Sequence, residues 1–348
     1  MSTIDPASVE LGLDTFGDVT TGPDGTPDHH AVVLRNVVDQ AVLADQVGLS
    51  FIGLGEHHRD DFAITAPDVV LAAIASRTQS IRLGSAVTVL SSDDPIRVFE
   101  RFSTLDALSN GRAEVIIGRG SFTESFPLFG FDLGDYERLF AEKLDLLSHV
   151  VTEQPVTWSG TIRPPLQDQR IFPPTESGRL KVWVGVGGTP QSVVRAAHYR
   201  MPLMLAIIGG QPAQFVPFAQ YYRDLLAADG VDPLPIGMHS PGYVAETDEQ
   251  AREELFPHFK ANRDRIGAER GWPPTSRLQF DNDASPEGAL YVGSPETVAR
   301  KIATNLQRLG VTRFDLKYAN GPMSHDQLMR CIELYGTQVA PLVRDMVS

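Results

Sequence analysis

Residues 50–120 read SFIGLGEHHRDDFAITAPDVVLAAIASRTQSIRLGSAVTVLSSDDPIRVFERFSTLDALSNGRAEVIIGRG, and the order of patterns along them decides the fold. Residues 50–54 are a short apolar run that reads as a strand. Pro67 then opens a helical pattern at a position where its missing N–H costs little. Residues 81–90 are a second apolar run, Pro95 opens a second helix that ends at Asn110-Gly111, and residues 113–117 are a third run. Short apolar strands alternating with helices are the mark of a parallel α/β fold.

The alternation extends in both directions. Upstream, residues 9–13 form a strand, 20–27 a Gly/Pro loop, and Leu34, Val37, Val38, Ala41 and Val42 repeat at helical spacing. Downstream, a helix covers 136–151, and strands follow at 181–186, 203–208, 235–244 and 312–318. Helices separate these strands, one of them capped by Ser294-Pro295, and a last helix covers 324–346. Eight strands, each followed by a helix, predict a closed (β/α)8 TIM barrel in one domain over residues 1–348. A doubly wound open sheet is the alternative. Two stretches break the pattern. Residues from about 154 to 180 are rich in Pro, Gly and Thr and read as a hairpin-like insertion. Residues 267–288 show no clear period and read as an irregular insertion bordering the active-site entrance.

Composition narrows the class. The 348 residues carry a formal charge of -14 and are 42% hydrophobic. Such an acidic balance argues against nucleic acid and anionic membrane as partners. The single cysteine, Cys331, excludes a disulfide framework and a thiolate metal cluster. The N-terminus lacks the basic and apolar regions of a signal peptide, and no apolar run approaches the roughly 20 residues of a membrane span. A cytoplasmic protein is expected.

In a barrel of this kind the strand C-termini share one rim, where the chemistry is done. Five segments with polar or glycine-rich residues fall there: Asp14-Thr15-Phe16, Gly55-Glu56-His57-His58, Gly84-Ser85-Ala86-Val87, Gly118-Arg119-Gly120 and Gly187-Gly188-Thr189-Pro190. Thr189 and Pro190 suit a helix start, and Gly187 and Gly188 let backbone N–H groups approach a phosphate. A plain capped helix reads the same way. Arg119 suits a phosphate or a ring carbonyl; a salt bridge to Glu114 or Glu124 is the competing reading. Of the adjacent histidines only one is expected to face the pocket, as acid or base. No spacing of ligands suits a metal. The helix opened by Pro67 is apolar on nearly every side, which points to cover by another subunit, hence a homodimer.

Taken in order, GLGEHH, then LGSAVTVLSSDDPIRVFERFSTLDALSNGRAEVIIGRG, the FPLFGFD turn, KVWVGVGGTPQSVVRAA and YVGSPETVARKIATNLQRLGVTRFDLKY resemble the bacterial-luciferase-like family of flavin-dependent monooxygenases, from about residue 9 to the end. The resemblance implies a TIM barrel that binds FMN at its C-terminal rim, or the deazaflavin F420 in some relatives. It implies a non-proline cis bond at Ala86-Val87 beneath the flavin ring, a flavin contact at Arg119, and phosphate contacts at Gly187, Gly188, Thr189 and Ser192. It assigns catalysis to His57, with Glu56 beside it. The implied reaction oxidises a small organic substrate with reduced FMN and O2 through a flavin C4a-hydroperoxide, the reduced flavin coming from a separate reductase. An F420-dependent dehydrogenase and a non-catalytic flavin-binding relative remain as alternatives. Two departures put light emission in doubt: Gly118 stands where luciferase has a reactive cysteine, and Val87 where it has alanine.

Overall fold

The structure, a computed structural model, describes residues 4–120 and 122–348. Among them the strands are β1 (Glu10–Thr15), β2 (Phe51–Leu54), β3 (Arg82–Val89), β4 (Ala113–Gly118), β5 (Val156–Trp158), β6 (Leu166–Gln169), β7 (Lys181–Val186), β8 (Leu203–Ala206), β9 (Ile236–Val244), β10 (Tyr291–Gly293) and β11 (Arg313–Lys317). Parallel pairing runs β1-β2-β3-β4-β7-β8-β9-β11 and returns to β1, which closes the barrel. This is the expected (β/α)8 architecture, not the open sheet. β10 pairs with the outer end of β9. β5 and β6 form the antiparallel hairpin expected in the insertion at 154–180.

Each barrel strand buries both faces, against different partners. Leu11, Leu13, Ile52, Leu54, Val115, Ile117, Val184, Val186, Phe314 and Leu316 join the apolar layer under the helices. The residues alternating with them fill the barrel interior, where Phe51, Ile116, Trp183 and Met204 form a second cluster. The interior is also charged. Arg313 lies between the rings of Phe51, 4.0 Å away, and Trp183, 4.8 Å away. It binds Glu114 and, through Nε, both oxygens of Asp315 at 3.1 and 3.0 Å. Burial is the main force that pushes the Asp315 carboxyl up to about 6. Losing one member of such a buried set costs about 3–5 kcal/mol, because the partner charge is stranded. Glycines make the room: a Cβ on Gly12 would lie 2.3 Å from Asp315 Oδ1, and one on Gly84 would lie 2.8 Å from the Phe51 ring.

The segment 267–288 differs from its sequence reading. The preceding helix, Asp248–Arg270, extends four residues into it and ends on Gly271 in the left-handed conformation. Ser276 then caps a further helix, Arg277–Asp283, by accepting from the Gln279 N–H at 3.1 Å. Only Phe280 of that helix is buried, edge-on to Phe256 and Phe259. A single anchoring ring leaves no apolar period to read.

Candidate active site

The segments expected to receive a phosphate meet where β4 and β7 end. Thr189 precedes the helix Pro190–His198 with no side-chain cap on the helix N–H groups. Its hydroxyl lies 2.8 Å from Ser192 Oγ instead. Gly188 has φ +123°, where an L side chain is strained, and a Cβ on Gly187 or Gly188 would meet nothing within 4 Å. Open space therefore faces uncapped N–H groups, the geometry that receives a phosphate. Arg119 reaches the same place. Its Nη2 donates to Thr189 Oγ1 at 3.3 Å, its Nη1 to Glu137, and its guanidinium lies 5.6 Å from the Tyr136 ring centre. The ion-pair partner is Glu137, not Glu114 or Glu124. A second cation, Arg195, donates to Glu137 Oε2 at 2.8 Å, and its Nη1 is buried with no hydrogen-bond partner. Burial pushes the Glu137 carboxyl up, but the Arg195 hydrogen bond and the two positive charges outweigh it and hold it below the usual range.

His57 is enclosed by rings. Phe16, Phe62 and Phe122 lie 4.6, 4.7 and 4.5 Å from it, centre to centre. Burial, aided by the charges of Lys317, Arg59 and Arg270, drives its pKa down to about 3. The imidazole is therefore neutral near pH 7 and can donate or accept a hydrogen bond. The neighbouring histidine diverges. His58 sits 5.0 Å from the Phe129 ring, 3.9 Å from Glu56, and lines with Glu56, Asp68 and Arg101 a cavity of about 240 Å³. A wider cavity of about 560 Å³ also lies on the His58 side. Glu56 thus joins His58 and not His57.

The Ala86–Val87 peptide is cis, and the β3–β4 register shifts between Ala86 and Thr88. Glycines crowd it. A Cβ on Gly55 would lie 2.1 Å from the Phe16 ring and 2.8 Å from the Ala86 carbonyl oxygen. A Cβ on Gly118 would lie 2.8 Å from Val87 Cγ2. The bulk absent at 118 is thus present at 87, so the two departures noted from the sequence are one steric exchange.

Several rim residues escaped the sequence reading. His239 on β9 contacts Asp14 Oδ2 at 2.8 Å through Nδ1, while Asp14 Oδ1 has no partner. Burial opposes charge on His239, yet the Asp14 carboxylate outweighs it and raises the imidazole pKa. Lys317 binds Asp18 at 3.2 Å. Charged residues inside strands were the available signal for His239, Lys317 and Arg313. For Arg195 there was none, since helices carry arginines everywhere.

A cap covers this side of the rim. Arg59 makes a two-pronged contact to Glu269, at 2.8 and 2.5 Å, and Arg265 pairs with Asp60 and Asp61. Arg270 lies 4.8 Å from the Phe122 ring centre and 5.3 Å from that of Trp272. The end of the helix Asp248–Arg270 is therefore tied to the β2 loop and rests on the ring that covers His57. Among the described residues no three His, Cys, Asp or Glu side chains converge as a metal site, and no helix is long and apolar enough to cross a membrane.

Known proteins resemble this chain in sequence and in fold. The uncharacterized protein y4vJ of Sinorhizobium fredii is 34% identical over 90% of this chain and 93% of its own length. Limonene 1,2-monooxygenase of Rhodococcus erythropolis is 27% identical over 94% of this chain and 87% of its own. Among solved structures, monooxygenase RslO1 from Streptomyces bottropensis superposes with a TM-score of 0.83 at 24% identity, over 95% and 99% of the two chains. The oxygenating constituent of 3,6-diketocamphane monooxygenase from Pseudomonas putida, solved with FMN, gives 0.75 at 18%, over 96% and 98%. The F420-dependent tetrahydromethanopterin reductase of Methanopyrus kandleri gives 0.69 at 18%, over 96% and 99%. A family model described as luciferase-like monooxygenase matches residues 15–313, and this chain, an enzyme, belongs to that family.

Proposed function

We propose that the chain is an FMN-dependent monooxygenase that oxidises a small organic molecule. The observation that carries this reading is the convergence of Arg119 and Arg195 on one carboxylate, Glu137, with Arg119 also reaching Thr189 at the uncapped helix start. The orphaned Arg195 Nη1 and the free space beside both glycines fit a phosphate. Gly187, Gly188, Thr189, Ser192 and the two arginines would hold the phosphate end of FMN. The cis Ala86–Val87 segment would support its ring, with neutral His57 nearby. Bound there, reduced FMN would supply the two electrons that let O2 give one oxygen atom to the substrate and the other to water.

The remaining groups serve that chemistry. Phe16, Phe62 and Phe122 exclude water from His57, whose neutral imidazole offers a hydrogen bond to the bound ring or substrate. The cap at 267–272 closes the entrance, and Glu56 acts with His58 at its edge. Val69, Leu108, Leu128 and Phe129 are exposed on three neighbouring helices, which supports a homodimer across Pro67–Ala75. The sequence carries no nicotinamide-binding motif, so reduced FMN is taken from a separate cytoplasmic reductase. The cradle would also accept the phosphate of F420, which makes a dehydrogenase the competing reading. Side-by-side titration with FMN and F420, followed by O2 uptake with reduced FMN, separates them. Binding of F420 alone, with no O2 uptake, would replace the FMN reading.

A further inference from the structure

The Glu137 carboxylate lies where a bound phosphate would accept its hydrogen bonds. It takes Arg119 Nη1 on one oxygen and Arg195 Nη2 on the other, at 2.8 Å, beside Thr189 Oγ1. It is also 58% exposed, on the first turn of the helix Tyr136–Val150. Rotating it into water therefore costs the carboxylate little, and an entering phosphate takes over the two half-buried guanidiniums. The two guanidiniums and this carboxylate leave one net positive charge, whereas a phosphate monoester brings about -1.5 to -2 near neutral pH. Two anions sharing the same donors repel each other.

The geometry points to Glu137 as an internal competitor for the cofactor phosphate: it occupies the arginine pair in the free chain and leaves when the phosphate enters. This rests on the FMN reading above and adds to it. The competitor weakens binding of every phosphate-bearing flavin while leaving the ring contacts untouched. FMN is then held as an exchangeable cosubstrate instead of a resident group, as delivery by a separate reductase requires. A residue that merely aligned the two arginines would do the reverse, and its loss would weaken binding.

The test compares Glu137→Gln and Glu137→Ala with the parent chain by flavin-fluorescence titration, using FMN and riboflavin. Thermal shift with inorganic phosphate alone is measured in parallel. FMN affinity should rise about three- to tenfold in both variants, the range expected for freeing partly exposed charges. Riboflavin affinity should not change, and inorganic phosphate should stabilise the variants more than the parent. FMN affinity that stays level or falls in both variants overturns the competitor role, and so does an equal gain for riboflavin. If the parent chain binds no FMN, the proposed function fails by itself. The phosphate arm then decides on Glu137: a larger shift in the variants supports competition, and an equal shift refutes it.

Discussion

Replacing His57 with Gln should make the protein less sensitive to acid, by an amount set by how the imidazole is held. In the folded chain the ring is walled in by Phe16, Phe62 and Phe122, and its pKa falls from 6.5 to about 3. Below pH 6.5 the unfolded chain therefore takes up a proton that the folded chain refuses. The stability this contributes is fully present above pH 6.5 and is lost as the pH falls toward 3. The slope is about 1.4 kcal/mol per pH unit, so descending to about pH 5 removes about 2 kcal/mol. That is a visible share of the about 5–15 kcal/mol typical of a folded protein. It is an upper figure, because local opening of the rim lets water reach the ring. Urea midpoints of the parent and His57→Gln chains between about pH 7.5 and about pH 5 measure it, since the carboxylates common to both cancel in the difference. His239 works in the opposite sense. Its raised pKa gives stability that is complete below pH 6.5 and lost as the pH rises through the folded value; both chains carry it, so it cancels in the difference. Parallel curves for the two chains would refute the buried neutral state of His57.

Other perturbations probe separate parts of the site. Arg119→Ala should weaken FMN binding by about 1.5–3 kcal/mol and leave riboflavin unaffected; unchanged FMN affinity would remove the arginine from the phosphate site. Gly118→Cys should cost about 1–3 kcal/mol through overlap with Val87 and much less in a Val87→Ala background; thermal melts showing equal cost in both would mean the positions are not coupled. Light scattering at micromolar concentration should give the mass of a dimer, and a monomer would contradict the role given to the helix Pro67–Ala75. Hydrogen exchange in residues 267–276 should slow when FMN and substrate are bound, and an unchanged pattern would make that segment a structural insertion only.

Strand order was legible because each barrel strand is a compact apolar run and its helix follows with a period of its own. The helix start after β7 was legible for a similar reason: glycines, a threonine and a proline mark the end of a strand and the first turn of the helix that follows. The interior was harder. On β11, RFDLK alternates charged and apolar residues, which in isolation reads as one wet face. In the barrel that face points inward, where Arg313, Asp315 and Lys317 find Glu114, Asp18 and two aromatic rings. Nothing local distinguishes a charge facing water from a charge facing a buried partner 199 positions away, as between Arg313 and Glu114. The same limit hid Arg195 and the Asp14–His239 pair. The extent of the helix Asp248–Arg270 was missed because Gly267 interrupts its last turns, where only Ile266 and Ala268 are apolar, and tertiary ion pairs to the β2 loop hold them in place.

A crystal structure of the chain soaked with FMN measures the central claim most directly. The phosphate should lie within hydrogen-bond distance of the Gly188 and Thr189 N–H groups and of Arg119 and Arg195, with Glu137 turned away. The flavin ring should rest against Ala86–Val87 with His57 beside it. Density for FMN elsewhere on the molecule, or a phosphate out of reach of both arginines, would contradict it.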